Sequence, residues 1–326
     1  MKRLIDPALF PFVEEQRRVN DGIRLAGQTL PPLDRIDPIA LRRSRSHTRD
    51  GSIRSPLDAI GRNEEIVLAD GRTVATRIFA DGETQGIFVH YHGGGWALGS
   101  LYEQEAYLAA IARSASVKVI SVDYPLAPEH RLPEILDVGA ASLRAILSRH
   151  RGEPVCVGGE SAGGHVALSS ILRLRGEPDL FDAIGGIALC YPITDLSMTP
   201  SQRNWGSEFL NLSTSWLEWF YALALPGLSP DERRDSGFSP LYANLGGLPP
   251  TLLCVGERDP LLDDTLFLER RLIAAGNDCR LHVFPEAPHG FNGQPTRMAA
   301  ACNALVQDFI ADRARGLPLD GEGLRP

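Results

Sequence analysis

From Glu65 onward, short apolar runs of strand character alternate with longer stretches of helical period. The strand candidates are 66–68, 74–78, 86–91, 117–122, 155–157, 184–190, 251–255 and 281–284, and the helical candidates are 103–115, 133–150, 162–174, 262–275 and 296–314. Alternation of this kind predicts an α/β fold: a mostly parallel eight-stranded sheet flanked by helices. Two segments break the alternation and are expected to stand outside the sheet. The first fifty-odd residues scatter Phe12, Val13, Val19, Ile23 and Leu25 among charges, as an amphipathic helix would. The stretch 196–236 gathers Trp205, Phe209, Trp216, Trp219, Phe220 and Tyr221. One reading of that stretch is a helix packing its aromatics onto the core; the other is a cap that roofs a pocket and lines it with apolar surface. Residues 317–326, rich in Gly, Pro and Asp, are expected to fray as a flexible tail.

Composition narrows the classes of function. A chain of 326 residues, 43 % hydrophobic and 23 % charged, has the makeup of a globular protein with room for one large domain and an appendage. Its formal charge of -8 would repel a phosphate backbone, so nucleic acid is not an expected partner. The basic cluster Arg42, Arg43, Arg45 and Arg49 reads as a solvated helix end. Five scattered cysteines, with no C-x-x-C pair and no H-E-x-x-H, point to reduced buried thiols in a cytoplasmic protein and to no metal. Asp6 and Pro7 interrupt the apolar core that a signal peptide needs. No run approaches the roughly eighteen apolar residues of a membrane span, so a membrane is not an expected partner.

The chemistry concentrates in four places. The strand candidate at 155–157 runs through Gly158 into Gly159-Glu160-Ser161-Ala162-Gly163 and then into a helical pattern. A serine on a sharp strand-to-helix turn presents its hydroxyl free of crowding, and the flanking glycines remove side chains that would clash there. The bland alternative is a glycine-rich helix start in which Ser161 only caps backbone donors. After the strand candidate at 86–91 comes His92-Gly93-Gly94-Gly95-Trp96, whose glycines expose backbone N–H groups suited to an oxyanion. A serine of this kind is followed in chain order by an acid and then by a histidine. Of the eight histidines, His289 sits beyond the last strand candidate, between Pro288 and Gly290. His165, one helical turn after the serine, reads as structural. On position alone Asp259, set before Pro260, leads Glu257 as the acid, while Asp263 and Asp264 suit the first turn of the next helix.

Together, residues 92–96, 159–164, 259–261 and 289–291 resemble the bacterial hormone-sensitive-lipase family of esterases, family IV, and the resemblance runs over most of the chain. It includes 123–129, where Pro125 stands in place of the family's usual arginine, and Tyr191-Pro192. Glu160 replaces a frequent aspartate and is expected to keep a supporting hydrogen bond. The resemblance implies an α/β-hydrolase fold with a two-part helical cap, 1–55 and 196–236, on a core of 56–195 and 237–316. It implies hydrolysis of short to medium acyl esters through a Ser-His-Asp triad and an acyl-enzyme, without cofactor and often as a homodimer. It favours Asp259 over Glu257, and it maps oxyanion donors onto Gly94, Gly95 and Ala162, with Gly93 shaping the loop and His92 anchoring it. Trp96, Phe209, Trp216, Phe220 and Phe291 are the expected lining of the substrate pocket. Amide, lactone or carbamate hydrolysis by the same groups is the nearest alternative. A small-molecule receptor that has lost its histidine is the remote one.

Overall fold

The computed structural model describes residues 5–45 and 61–318; Arg49 of the basic cluster and positions 319–326 of the expected tail lie outside the described residues. The strands are β1 (Gly61–Val67), β2 (Thr73–Phe79), β3 (Ile87–Tyr91), β4 (Lys118–Val122), β5 (Val155–Glu160), β6 (Ile184–Cys190), β7 (Thr251–Arg258) and β8 (Cys279–Pro288). They form one sheet in the order β1-β2-β4-β3-β5-β6-β7-β8. The β1-β2 and β2-β4 pairs are antiparallel, and every pairing from β4 to β8 is parallel. Gly71, at φ +85°, turns the β1-β2 hairpin, which the Leu68 N–H closes on the Arg72 carbonyl at 2.8 Å.

The helices are α1 (Val13–Gly27), α2 (Pro38–Arg45), α3 (Glu105–Ser114), α4 (Leu132–Arg149), α5 (Ala162–Arg173), α6 (Pro178–Phe181), α7 (Pro200–Asn204), α8 (Thr214–Ala224), α9 (Leu262–Ala274) and α10 (Arg297–Ala314). Because side chains alternate across a strand, each strand feeds two cores. Ile87, Val89 and Tyr91 of β3 join Ile135 and Leu143 of α4, Val166 of α5 and Leu268 of α9 on one face. Phe88 and Val119 join Leu108 and Ile111 of α3 and Val306 and Ile310 of α10 on the other. Both faces being covered explains why the central strands read as unbroken apolar runs.

The N-terminal helix follows the amphipathic expectation in part: Phe12 and Val13 pack half-buried against the core, and Val19 and Ile23 are half-buried as well. Leu25 is 66 % exposed, while the residues of α1 that are buried are Gln16 and Asn20. The helix is hooked on by amides: Gln16 Nε2 donates to Gln294 Oε1 at 2.7 Å, and Asn20 Nδ2 donates to the Glu286 carbonyl at 2.8 Å. Buried polar groups of this kind hold only where their partners are met, which a hydropathy pattern does not register. Arg42 is likewise engaged, donating to Glu129 at 2.9 Å and to the Ala127 carbonyl at 3.2 Å. Among the described residues, no helix is long and apolar enough to cross a membrane.

Candidate active site

Every group of interest follows the C-terminal end of a parallel strand, the end where an open α/β sheet leaves a crevice. After β5 the chain reverses into α5 at Ser161, whose φ of +56° and ψ of -122° lie outside the ordinary regions for a side-chain-bearing residue. The reversal brings neighbouring backbone so close that a Cβ on Gly163 would lie 2.0 Å from the Tyr91 carbonyl oxygen and 2.4 Å from that of His92. Glycine is therefore the residue that fits this turn.

Ser161 Oγ stands 3.0 Å from His289 Nε2, and His289 Nδ1 stands 2.9 Å from Asp259 Oδ2 and 3.1 Å from Oδ1. With Nδ1–H donating to the carboxylate, Nε2 is left to accept from the serine hydroxyl. Asp259 is buried at the end of the β7 loop, where its Oδ1 also accepts the Leu261 N–H at 2.8 Å. Glu257 lies on another contact, accepting the Glu286 N–H at 3.2 Å. His165 is tied up elsewhere: its Nδ1 accepts from Trp96 Nε1 at 3.1 Å and its Nε2–H donates to the Phe238 carbonyl at 2.6 Å. Burial lowers its pKa to about 4, so the ring is neutral.

Gly93, Gly94 and Gly95 form the cavity wall beside Ser161. Ala162 opens α5, where first-turn amides have no intrahelical acceptor. His92 Nδ1–H donates to the Gly93 carbonyl at 2.8 Å while its ring stacks on Tyr124, centroids 4.4 Å apart, and burial takes its pKa to about 4. Tyr124 in turn donates to the His92 carbonyl at 2.5 Å. The glycine loop is thus held from both sides by neutral rings. Glu160 accepts from His90 Nε2 at 2.9 Å and from Gln104 Nε2 at 2.8 Å, so the carboxylate next to the serine is fixed within the core.

The cavity above these groups has a volume of about 860 Å³. Leu30, Ile36 and Leu41 from the N-terminal segment and Phe209, Trp216 and Phe220 from the stretch before and within α8 line it. Two expected lining residues do not reach it. Trp96 is completely buried, because its backbone at φ +58° turns the indole inward onto His165. Phe291 is completely buried as well, packed between Phe284 and Tyr191 at centroid distances of 5.0 and 6.1 Å.

The fold also gathers groups whose sequence separation hid them. The sulfurs of Cys190 on β6, Cys254 on β7 and Cys302 on α10, all buried, lie within 4.8 Å of one another. Three thiols could meet a soft cation, but they sit in the apolar layer under α10 with Phe284 and Met298, where unpaired charge is disfavoured. All five cysteines are free thiols. Glu208 accepts from Arg24 of α1 at 2.8 Å and from Arg258 at 2.9 Å, joining the two segments outside the sheet to the strand end that carries Asp259.

Comparison with known proteins agrees with this fold. A family model described as alpha/beta hydrolase fold matches residues 88–293. A carboxylesterase of Mycobacterium tuberculosis is 34 % identical over 236 residues, covering 69 % of this chain and 72 % of its own. An esterase of Acinetobacter venetianus is 37 % identical over 239 residues, covering 73 % and 77 %. The crystal structure of EstE1, a thermostable carboxylesterase cloned from a metagenomic library, superposes with a TM-score of 0.75 at 26 % identity, covering 89 % of this chain and 99 % of that one. The chain belongs to the bacterial hormone-sensitive-lipase-like esterases of the α/β-hydrolase fold.

Proposed function

We propose that this carboxylic ester hydrolase works through an acyl-enzyme on Ser161. The observation that carries the reading is the line of contacts Ser161–His289–Asp259, at 3.0 and 2.9 Å, with Ser161 and His289 lining the cavity and Asp259 buried behind them. His289 Nε2 takes the hydroxyl proton as Oγ attacks the ester carbonyl, and the N–H groups of Gly94, Gly95 and Ala162 receive the oxyanion. The imidazolium then gives its proton to the leaving alcohol. A water takes the alcohol's place, loses a proton to Nε2 and attacks the acyl-enzyme, and the acid leaves as Ser161 regains its proton. Asp259 holds Nδ1–H throughout and balances the positive charge on the ring.

The cavity suits a short to medium acyl ester with an apolar or aryl part, because its volume falls in the range of small-molecule pockets and its roof is aromatic. In this reading the N-terminal segment and the 196–236 stretch are the two parts of the cap. Free thiols support a reducing, cytoplasmic location. The family resemblance, together with β8 as a terminal strand of the sheet, supports a homodimer. The test is hydrolysis of p-nitrophenyl esters from acetate to palmitate by the wild type and Ser161→Ala. Turnover of the short chains that the substitution abolishes is the expected result; activity near wild type in Ser161→Ala would sink the mechanism.

A further inference from the structure

Directly after β6, Tyr191 adopts φ +38°, in the left-handed region that residues other than glycine seldom enter. Such backbone persists only where its surroundings over-determine it, and it concentrates at functional sites. Here the surroundings are explicit. The Tyr191 N–H donates to the Cys254 carbonyl at 2.6 Å, and its hydroxyl donates to Asn292 Oδ1 in the turn that follows the histidine loop. The residues around it are bound to the nucleophile's own backbone: the Ser161 N–H donates to the Cys190 carbonyl at 3.0 Å, and the Ile193 N–H donates to the Ser161 carbonyl at 3.3 Å. The ring packs edge-to-face on the His289 imidazole, with centroids 4.8 Å apart and planes at 65°. The segment is therefore bonded to Ser161 through its main chain and packed on His289 through its ring. Burial holds the phenol well above its usual pKa, so it neither supplies nor accepts the proton in transit.

We propose that Tyr191 is a positioning residue for ester hydrolysis, bracing the His289 ring against Ser161 and giving the imidazolium an aromatic neighbour as it forms. The proposal rests on the reading of Ser161 and His289 as nucleophile and base. The face of an aromatic ring attracts a cation more than it attracts a neutral group, so an imidazolium whose edge meets the Tyr191 face is held more firmly than the imidazole. The benefit then belongs to the transition state more than to bound substrate, and its loss appears in kcat with little change in KM.

The test compares Tyr191→Leu, which removes the ring, with Tyr191→Phe, which keeps it, alongside Ser161→Ala, on one short-chain p-nitrophenyl ester. The leucine variant is expected to lose about 30-fold in kcat with KM within about twofold, and the phenylalanine variant to stay within about threefold of wild type. Tyr191→Met fills similar volume and serves the comparison if the leucine variant does not fold. A ringless variant as fast as Tyr191→Phe, beside an inactive Ser161→Ala, overturns this proposal alone. Losses in both variants that only follow the folded fraction, measured by near-UV circular dichroism, overturn it too. Wild-type turnover in Ser161→Ala would instead overturn the reading beneath it.

Discussion

His289 Nδ1 and Asp259 Oδ2 stand 2.9 Å apart, and the carboxylate is closed off from solvent. A carboxylate in that place fixes which nitrogen carries the proton. In Asp259→Asn the amide can present an N–H to Nδ1, which moves the ring proton to Nε2 and removes the acceptor that Ser161 needs. The expected loss in kcat is about 10³- to 10⁴-fold, with KM little changed. Steady-state kinetics on p-nitrophenyl butyrate would show it, and a loss smaller than tenfold would contradict the assigned role.

The turn at Ser161 makes a prediction about packing. Gly163→Ala drives a methyl into the Tyr91 and His92 carbonyls, both of which belong to rigid backbone. Overpacking of this sort costs about 1–3 kcal/mol, and here it can be relieved only by moving Ser161 or the glycine loop. We expect lower thermal stability and, in the protein that remains folded, a kcat reduced by more than the folded fraction explains. A stable variant with full activity would contradict the close approach of the Tyr91 and His92 carbonyls to this turn.

Much of this site is legible along the chain because it is local. β6 spans the apolar run 184–190, and the serine turn announces itself by glycines on either side of Ser161. β1 is longer than its apolar residues suggest, since Arg62 to Glu65 contribute backbone pairing to β2 while their side chains face largely outward. What sequence reasoning misses depends on direction or distance. Trp96 borders the glycine loop in sequence, yet a positive φ turns it into the core. Gln16 and Asn20 anchor α1 although both are polar, because their partners Gln294 and Glu286 arrive from the far end of the chain. Tyr191 is visible within the Tyr191-Pro192 motif, but its contact with His289 exists only once β6 and β8 lie in one sheet.

The aromatics that line the cavity predict substrate selection. Phe220 lies so close over the glycine loop that a Cβ on Gly95 would come within 2.2 Å of its ring, and Trp216 extends the same surface at a centroid distance of 5.8 Å. Phe220→Ala should open space next to the loop and move the best p-nitrophenyl ester toward longer acyl chains. Kinetics across the acetate-to-palmitate series would reveal the shift as a change in the kcat/KM optimum. An unaltered chain-length profile in Phe220→Ala and Trp216→Ala would remove the α8 aromatics from the acyl site.

Asp264 predicts a pH-dependent stability. It sits fully buried in the first turn of α9, where its carboxylate accepts from the Thr194 and Asp195 N–H groups at 2.8 and 3.0 Å, Thr199 Oγ1 at 2.8 Å and Gln202 Nε2 at 2.7 Å. Burial raises its pKa from 3.8 to about 7, against the pull of those four donors. The folded state therefore holds a proton that the unfolded chain has released between pH of about 4 and 7, so the stability linked to it is fully present below that window and is lost as pH rises through about 7. Asp264→Asn cannot titrate, and its NH₂ would meet partners of which three, the Thr194 and Asp195 N–H groups and Gln202 Nε2, only donate, at a cost of about 1–3 kcal/mol. The deficit of this variant against wild type should be larger at pH 5 than at pH 8, because only the wild type is weakened by ionisation. Denaturant unfolding at the two pH values would measure it, and equal deficits would show that Asp264 is already ionised in the folded protein at pH 5.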